Sequence, residues 1–239
     1  MFIGHYALGL AAKRIVPSVS LGALVLACQF ADLLWPTLVL AGVESFTIRP
    51  GITAVTPLDF EYYPFSHSLL ALCVWGILFG LVYRAVSGSS GRAALVLFAL
   101  VLSHWVLDVV AHRPDMPLAP GVGLRIGFGL WRSIPATLAV EFLLYALGVV
   151  AYCKATVARD RVGSIGLWAL VVFLAIVELA SVLEPPPSSV LAVSASAQAM
   201  WLLVAWGYWV DRHRQPMVAA ALSVDNSDRK GSSDQLHGY

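Results

Sequence analysis

Six stretches of this chain, at about residues 18–43, 66–84, 93–112, 134–153, 164–183 and 190–210, are long and apolar enough to cross ~30 Å of hydrocarbon. Lipid offers no partner to an unpaired backbone N–H or C=O, so such runs fold as helices that satisfy their own hydrogen bonds. Composition agrees: 59% of the 239 residues are hydrophobic and 12% are charged, against roughly 25% charged in soluble domains. Mean hydropathy is +0.80. The expected fold is all-α, a polytopic membrane helical bundle of six full spans plus a short N-terminal partial helix. Residues 1–214 form a single integral membrane domain. From residue 215 the chain turns polar and low in aromatics and is expected to be a disordered cytoplasmic tail.

The connections carry the usual helix breakers, among them "SGSSGR" before the third run and "EPPPSS" before the sixth. If the segment before residue 18 is cytoplasmic, eleven of the fifteen Lys and Arg residues fall on that side. The positive-inside bias then places the long loops at 44–65 and 113–133 on the outer face. The expected location is the bacterial inner membrane.

The first seventeen residues, "MFIGHYALGLAAKRIVP", are helix-compatible up to Pro17 but too short for an ordinary span. They fit a partial helix that enters from the outer side and turns at "KRIVPS" into the first full span. An interfacial helix on the cytoplasmic surface is the competing reading, and there His5 would be idle. A lipoprotein signal ending at Cys28 fits poorly, because apolar residues precede Lys13 and Arg14, whereas a signal's charges stand at its start.

Net charge is +1 and the charges are scattered, so nucleic acid is not an expected partner. Cys28, Cys73 and Cys153 lie in apolar runs and are odd in number, which argues against a disulfide framework or a cysteine zinc site.

The ionisable residues inside the runs carry the functional information. "LVLSHWVLDVVAHRPD" sets His104, Asp108 and His112 four apart, with Asp115 beyond. That spacing puts His104 and Asp108 on one helix face. Threading the spans between their loops places Asp32, His67, His104, Asp108, Glu141 and Glu178 within roughly 17 Å of the outer surface. Each carboxylate costs ~2.5–3.5 kcal/mol in hydrocarbon on insertion scales, so these groups should face the interior and one another. For a single residue such as Glu178, a paired helix-packing contact is the plainer account. For the set, a polar cavity open to the outer leaflet is expected.

Imidazole and carboxylate are ligands suited to zinc, manganese or iron. His104 and His112 stand about 12 Å apart along the axis and ~80° around it, so one ion does not easily take both. His104 and Asp108 therefore form one ligand pair, completed by Asp32, His67 and His5 from neighbouring segments. His112, Arg113 and Asp115 would sit at the mouth. In "YYPFSHSLL" Pro64 restrains the entry, Ser66 can cap the second span, and His67 falls in its first turn; a surface histidine near a cap is the bland alternative. His5 is the least secure ligand. Lys13 and Arg14 anchor its helix at the interface, which leaves His5 near mid-membrane while Asp32 climbs ~21 Å from Ser18, so the two meet only if the short helix starts deeper or tilts.

These residues resemble a known family. "MFIGHYALGL", "FADLLWP", "FSHSLL" and "LSHWVLDVVAHRPD" look like the ordered motifs of the bacterial membrane-bound metal-dependent hydrolases, over roughly residues 1 to 115. The resemblance implies His5, Asp32, His67, His104 and Asp108 as metal ligands. One Asp stands where the family often has two, and Gln29, one turn before Asp32, is placed to act as a neutral ligand or hydrogen-bond partner instead.

The expected function is a metal-dependent hydrolase, with a divalent transition metal, zinc first, as cofactor. Asp108 or Glu141 would act as general base, and His112, Arg113, Arg125 and Arg132 would hold an anionic head group. The site's depth suggests a membrane lipid or lipid-linked phosphoester as substrate. Two alternatives share the cavity: a transporter or proton pathway, which needs polar groups continuing to the inner side, and a metal-stapled structural protein.

Overall fold

The structure, a computed structural model, describes residues 1–217. Ten helices, α1 Ile3–Ala12, α2 Leu21–Cys28, α3 Phe30–Leu40, α4 Pro64–His67, α5 Leu69–Ser87, α6 Gly91–Ala111, α7 Ile134–Ala155, α8 Arg161–Leu183, α9 Val190–Ala197 and α10 Met200–Arg212, make up most of it. Six short strands pair two by two: β1 Ser45–Ile48 with β2 Leu58–Tyr62, β3 Met116–Pro117 with β4 Arg125–Ile126, and β5 Thr156–Ala158 with β6 Arg214–Pro216. Four helices, α5 to α8, and the continuous α9–α10 segment are each long and apolar enough to span a membrane, and α2 with α3 make a sixth span bent by 57°. The all-α polytopic bundle is thus present, with its first span broken where an unbroken one was expected.

Local chemistry accounts for the element boundaries. Ser90 and Ser133 cap α6 and α7 by accepting from the N–H three residues on, and Gly88 ends α5 in the left-handed conformation that glycine alone adopts without strain. Ser68, not Ser66, caps α5, accepting from Ala71 N–H. Residues 64–67 form a separate turn ahead of the span because Pro64 starts a helical turn but Ser68 is extended. His67 therefore lies outside the apolar helix, on the site side of its entry.

The short N-terminal segment is the partial helix rather than an interfacial one. Residues Ile3 to Leu10 are almost all buried, and α1 packs on α7, α2 and α6. Close backbone approach makes room for it. A Cβ at Gly148 of α7 would stand 2.4 Å from the Ala7 carbonyl oxygen, so only glycine lets α1 sink this deep. The α5–α6 hairpin uses Gly80 against Ala94 in the same way.

The chain after α10 does not leave the bundle at once. β6 pairs with β5 across Arg214 to Pro216, and Arg214 is buried with its guanidinium on Thr156 and the Gly163 carbonyl. The rest of the tail expected to be disordered, 218–239, lies outside the described residues.

Candidate metal centre

Three local devices bring the histidines and aspartates together. The first is the break between α2 and α3. Cys28 ends α2, and the last carbonyls of a helix have no partner within it; the Cys28 carbonyl instead accepts from His104 Nδ1 at 2.9 Å. A carbonyl can only accept, so Nδ1 carries a proton, and in the neutral His104 ring Nε2 is the bare nitrogen. That atom is buried with no hydrogen-bond partner. The bend also redirects the chain at Gln29, so Asp32, three residues later, does not climb the full height of a straight helix. The depth mismatch expected between His5 and Asp32 came from assuming that straight helix.

The second device is a relay behind His67. Ser66 Oγ donates to Glu44 Oε2 at 2.6 Å, and the same Oγ lies 2.7 Å from His67 Nδ1. Because the serine proton goes to the carboxylate, the oxygen accepts from Nδ1–H, and in the neutral His67 ring Nε2 is likewise the bare nitrogen. Glu44 Oε1 accepts the Phe65 and Ser66 N–H groups at the start of α4. One buried carboxylate thus both caps the turn and sets the imidazole's tautomer.

The third device is the i, i+4 pair of α6. His104 Nε2 is 3.1 Å from Asp108 Oδ2 and 3.6 Å from Asp32 Oδ1; His67 Nε2 is 3.4 Å from Asp32 Oδ1 and 3.9 Å from Asp108 Oδ2. Four donors at ~2.0–2.1 Å around a tetrahedral ion stand roughly 3.3–3.4 Å apart. The four nitrogen–oxygen separations straddle that edge length, but only Asp32, His67 and His104 close up as one three-ligand group, with Asp108 beside it. His67, His104 and Asp108 are buried, while the Asp32 side chain is 24% exposed, toward the adjoining cavity.

His5 joins the cluster from α1. Its ring stacks parallel on His104 with centroids 3.7 Å apart, its Nε2 is 3.0 Å from Asp108 Oδ1, and its Nδ1 has no partner. His5, His104 and Asp108 make one possible ligand group; Asp32, His67 and His104 make the other. His104 belongs to both, and Asp108 Oδ2 lies 3.9 Å from His67 Nε2 at the edge of the second. The Met1 amino group lies 2.6 Å from the same Oδ1.

The remaining expected site residues fall elsewhere. Glu141 Oε2 accepts from Phe2 and Gly4 N–H at 2.8 and 3.1 Å, so it holds the start of α1 in place while its side chain lines the cavity. Burying the first turn of α1 demands such an acceptor, because its N–H groups have no partner within the helix. Gln29 is buried; its Nε2 reaches the Phe2 carbonyl at 3.5 Å and its Oε1 has no hydrogen-bond partner. His112 ends α6, lines the cavity, and is held by Asp115 Oδ1 at 3.0 Å.

Arg113 pairs with Asp59 and Asp115 and so pins the β1–β2 hairpin to the end of α6. Arg125 donates to the Glu61 carbonyl, and Arg132 lies exposed against Gly129. None of the three arginines lines the cavity. An anionic head group would not meet them there.

That cavity, about 240 Å³, is walled by Asp32, His67, Asp108, His112, Glu141 and Glu178, and roofed by residues 55–58 and Phe60 of the hairpin with Trp35 and Trp131. Trp35, Phe46, Phe60, Tyr63, Val109 and Met116 form the apolar cluster that seats the hairpin. Glu178 is buried and, among the described residues, its carboxyl takes part in no hydrogen bond. Sequence reasoning missed Glu44, Ser66 as a relay, and the Cys28 carbonyl. A charged residue just past an apolar run, as in "GVESF", was the one available signal for Glu44.

No protein-family model, curated protein or solved structure matches the chain. The fold and the site define a class by themselves: a multi-pass helical membrane protein with a buried His/Asp cluster able to hold a metal ion.

Proposed function

We propose that the protein is a metal-dependent hydrolase of the inner membrane, working from a cavity open toward the outer leaflet on a lipid or lipid-linked substrate. The observation that carries this reading is the pair of histidines fixed through Nδ1 by a carbonyl and by a serine–carboxylate relay. Their Nε2 atoms then face oxygens of Asp32 and Asp108 at 3.1–3.9 Å. A structural ion pair would not need both tautomers set in advance. The motifs shared in order with the membrane-bound metal-dependent hydrolases point the same way, with zinc the ion that best suits two imidazoles and two carboxylates.

A divalent cation held there supplies Lewis acidity toward a scissile phosphoryl or acyl group and toward water. The chain's own residues supply the rest. Asp32, His67 and His104 would hold the ion with Asp108 beside them; His5 backs Asp108; Glu178, with its carboxyl uncommitted on the cavity wall, moves the proton. The hairpin roof excludes bulk water. A transport pathway would need polar groups carried on to the opposite end of the bundle. There Lys13 is tied to Asp211 and to the Val19 carbonyl, and Arg214 to Thr156 and Gly163.

The test is turnover of a p-nitrophenyl acyl ester and of bis(p-nitrophenyl) phosphate in mixed micelles by zinc-loaded protein. Wild type should hydrolyse one of them, and Glu178→Gln should lose roughly 10²–10⁴-fold in rate, as for a general base, with metal content unchanged. Metal-loaded wild type without turnover of either ester would overturn the hydrolase reading.

A further inference from the structure

A second cavity, about 410 Å³, lies between α8 and α10 and is apolar: Phe173 and Val177 face Leu202, Leu203 and Trp206 across it. Phe2 and Met200 line it and also line the metal-side cavity. The two spaces therefore share walls, one acidic and polar, the other greasy. The groove lies on the bundle's outer surface, since Leu202 is 70% exposed and Phe173 43%. It is shaped by the α9–α10 junction, where three-residue turns at 195–202 tighten the span.

We infer that this groove takes one acyl chain of an amphiphile whose uncharged polar head occupies the acidic cavity; the inference rests on the hydrolase reading and names its substrate class. Three observations converge on it. The shared walls at Phe2 and Met200 fit a molecule with a chain joined to a head. The cavity presents Asp32, Asp108, Glu141 and Glu178 against one cation, the Met1 amino group on Asp108, so an anionic head would meet repulsion beyond what that group and one divalent ion offset. And Trp35, 94% buried on the cavity wall, has an indole N–H without a partner. That N–H is a donor for a carbonyl or hydroxyl oxygen of the head, and a buried donor left unmet is costly.

In a bilayer the chain gains little from leaving other chains, because lipid tails are as apolar as the groove. Selection falls to the head group and to packing in the groove. Entry is lateral, between α8 and α10, so the scissile bond reaches the histidine side without leaving the membrane. An ester or amide carbonyl next to the head is the group that this arrangement brings to the site.

The test uses two photoreactive probes in nanodiscs, a monoacylglycerol and a lysophosphatidate, each with a diazirine on the acyl chain, with cross-links mapped by peptide mass spectrometry. Protein stripped of metal is used alongside zinc-loaded protein, so labelling is read without turnover and stays distinct from failure of hydrolysis. The monoacylglycerol probe should label the segments around Phe173 and Leu202–Trp206 more strongly than the lipid-facing side of α5 at Leu78 and Val82. Leu202→Trp, at a lipid-exposed position that should tolerate the larger side chain, and Ala199→Phe should both cut that labelling severalfold while α5 labelling is unchanged. Equal labelling of both faces, no effect of either variant, or stronger labelling by the lysophosphatidate would overturn the inference.

Discussion

The two ends of the bundle treat their ionisable residues in opposite ways. At the end carrying Lys13, Asp211, Asp160, His213 and Arg214, each of these groups has a partner. Lys13 Nζ is 2.6 Å from Asp211 and 2.8 Å from the Val19 carbonyl. His213, with the Gly163 N–H, holds the exposed Asp160 carboxyl below the usual carboxylate range. At the other end, His5 Nδ1, His104 Nε2 and the Trp35 N–H are buried and unpartnered, and two imidazole nitrogens face carboxylate oxygens at 3.1–3.9 Å. Burying polar groups without partners costs roughly 1–3 kcal/mol each; the first end leaves the Tyr152 hydroxyl unmet, while at the other several unmet groups converge on one cluster. Satisfied groups staple the helices. Convergent, pre-oriented and unsatisfied groups mark a place for a ligand.

Substitutions that swap these roles should break the comparison or sharpen it. The largest effect is expected at Asp108, which faces three histidines. Asp108→Ala should remove bound metal altogether while the detergent-solubilised protein keeps its helical circular dichroism; retention of stoichiometric metal would move the site elsewhere. At the stapling end, Lys13→Met strands the Asp211 carboxylate, and breaking such a pair costs roughly 3 kcal/mol. Thermal unfolding should shift down with metal content intact, and a variant that loses its metal first would deny the separation of the two ends. A smaller, selective effect belongs to the relay: Ser66→Ala and Glu44→Gln should each weaken metal affinity by about 10–100-fold. Competition with a metal-sensitive dye reads that change, and unchanged affinity would mean the His67 tautomer is not set from behind.

Much of this centre is legible in the chain itself. Asp108 four residues after His104 is fixed by helix periodicity, and it is in contact in the structure. Asp32 and His67 are readable because carboxylates and imidazoles in apolar runs have few places to go but toward each other. What the sequence hides are contacts made by backbone and by bends. The break at Gln29 has no proline or glycine at it, yet it frees the Cys28 carbonyl that orients His104. Glu141 and Asp108 look alike as buried acids in spans, but only packing shows that Glu141 caps α1. The arginines of the 113–133 loop read as anion binders by position. Their real partners, Asp59 and the Glu61 carbonyl, sit on a hairpin more than fifty residues away in sequence.

The central claim is that three donors from α3, α4 and α6, with Asp108 beside them, are arranged for a cation, and it is tested most directly by the metal content of the wild-type protein. Elemental analysis after purification in mild detergent, and again after incubation with zinc followed by desalting, should give about one transition-metal ion per chain, as for a single site with three protein ligands. A wild-type protein that is folded but holds no stoichiometric metal before or after incubation would contradict the account.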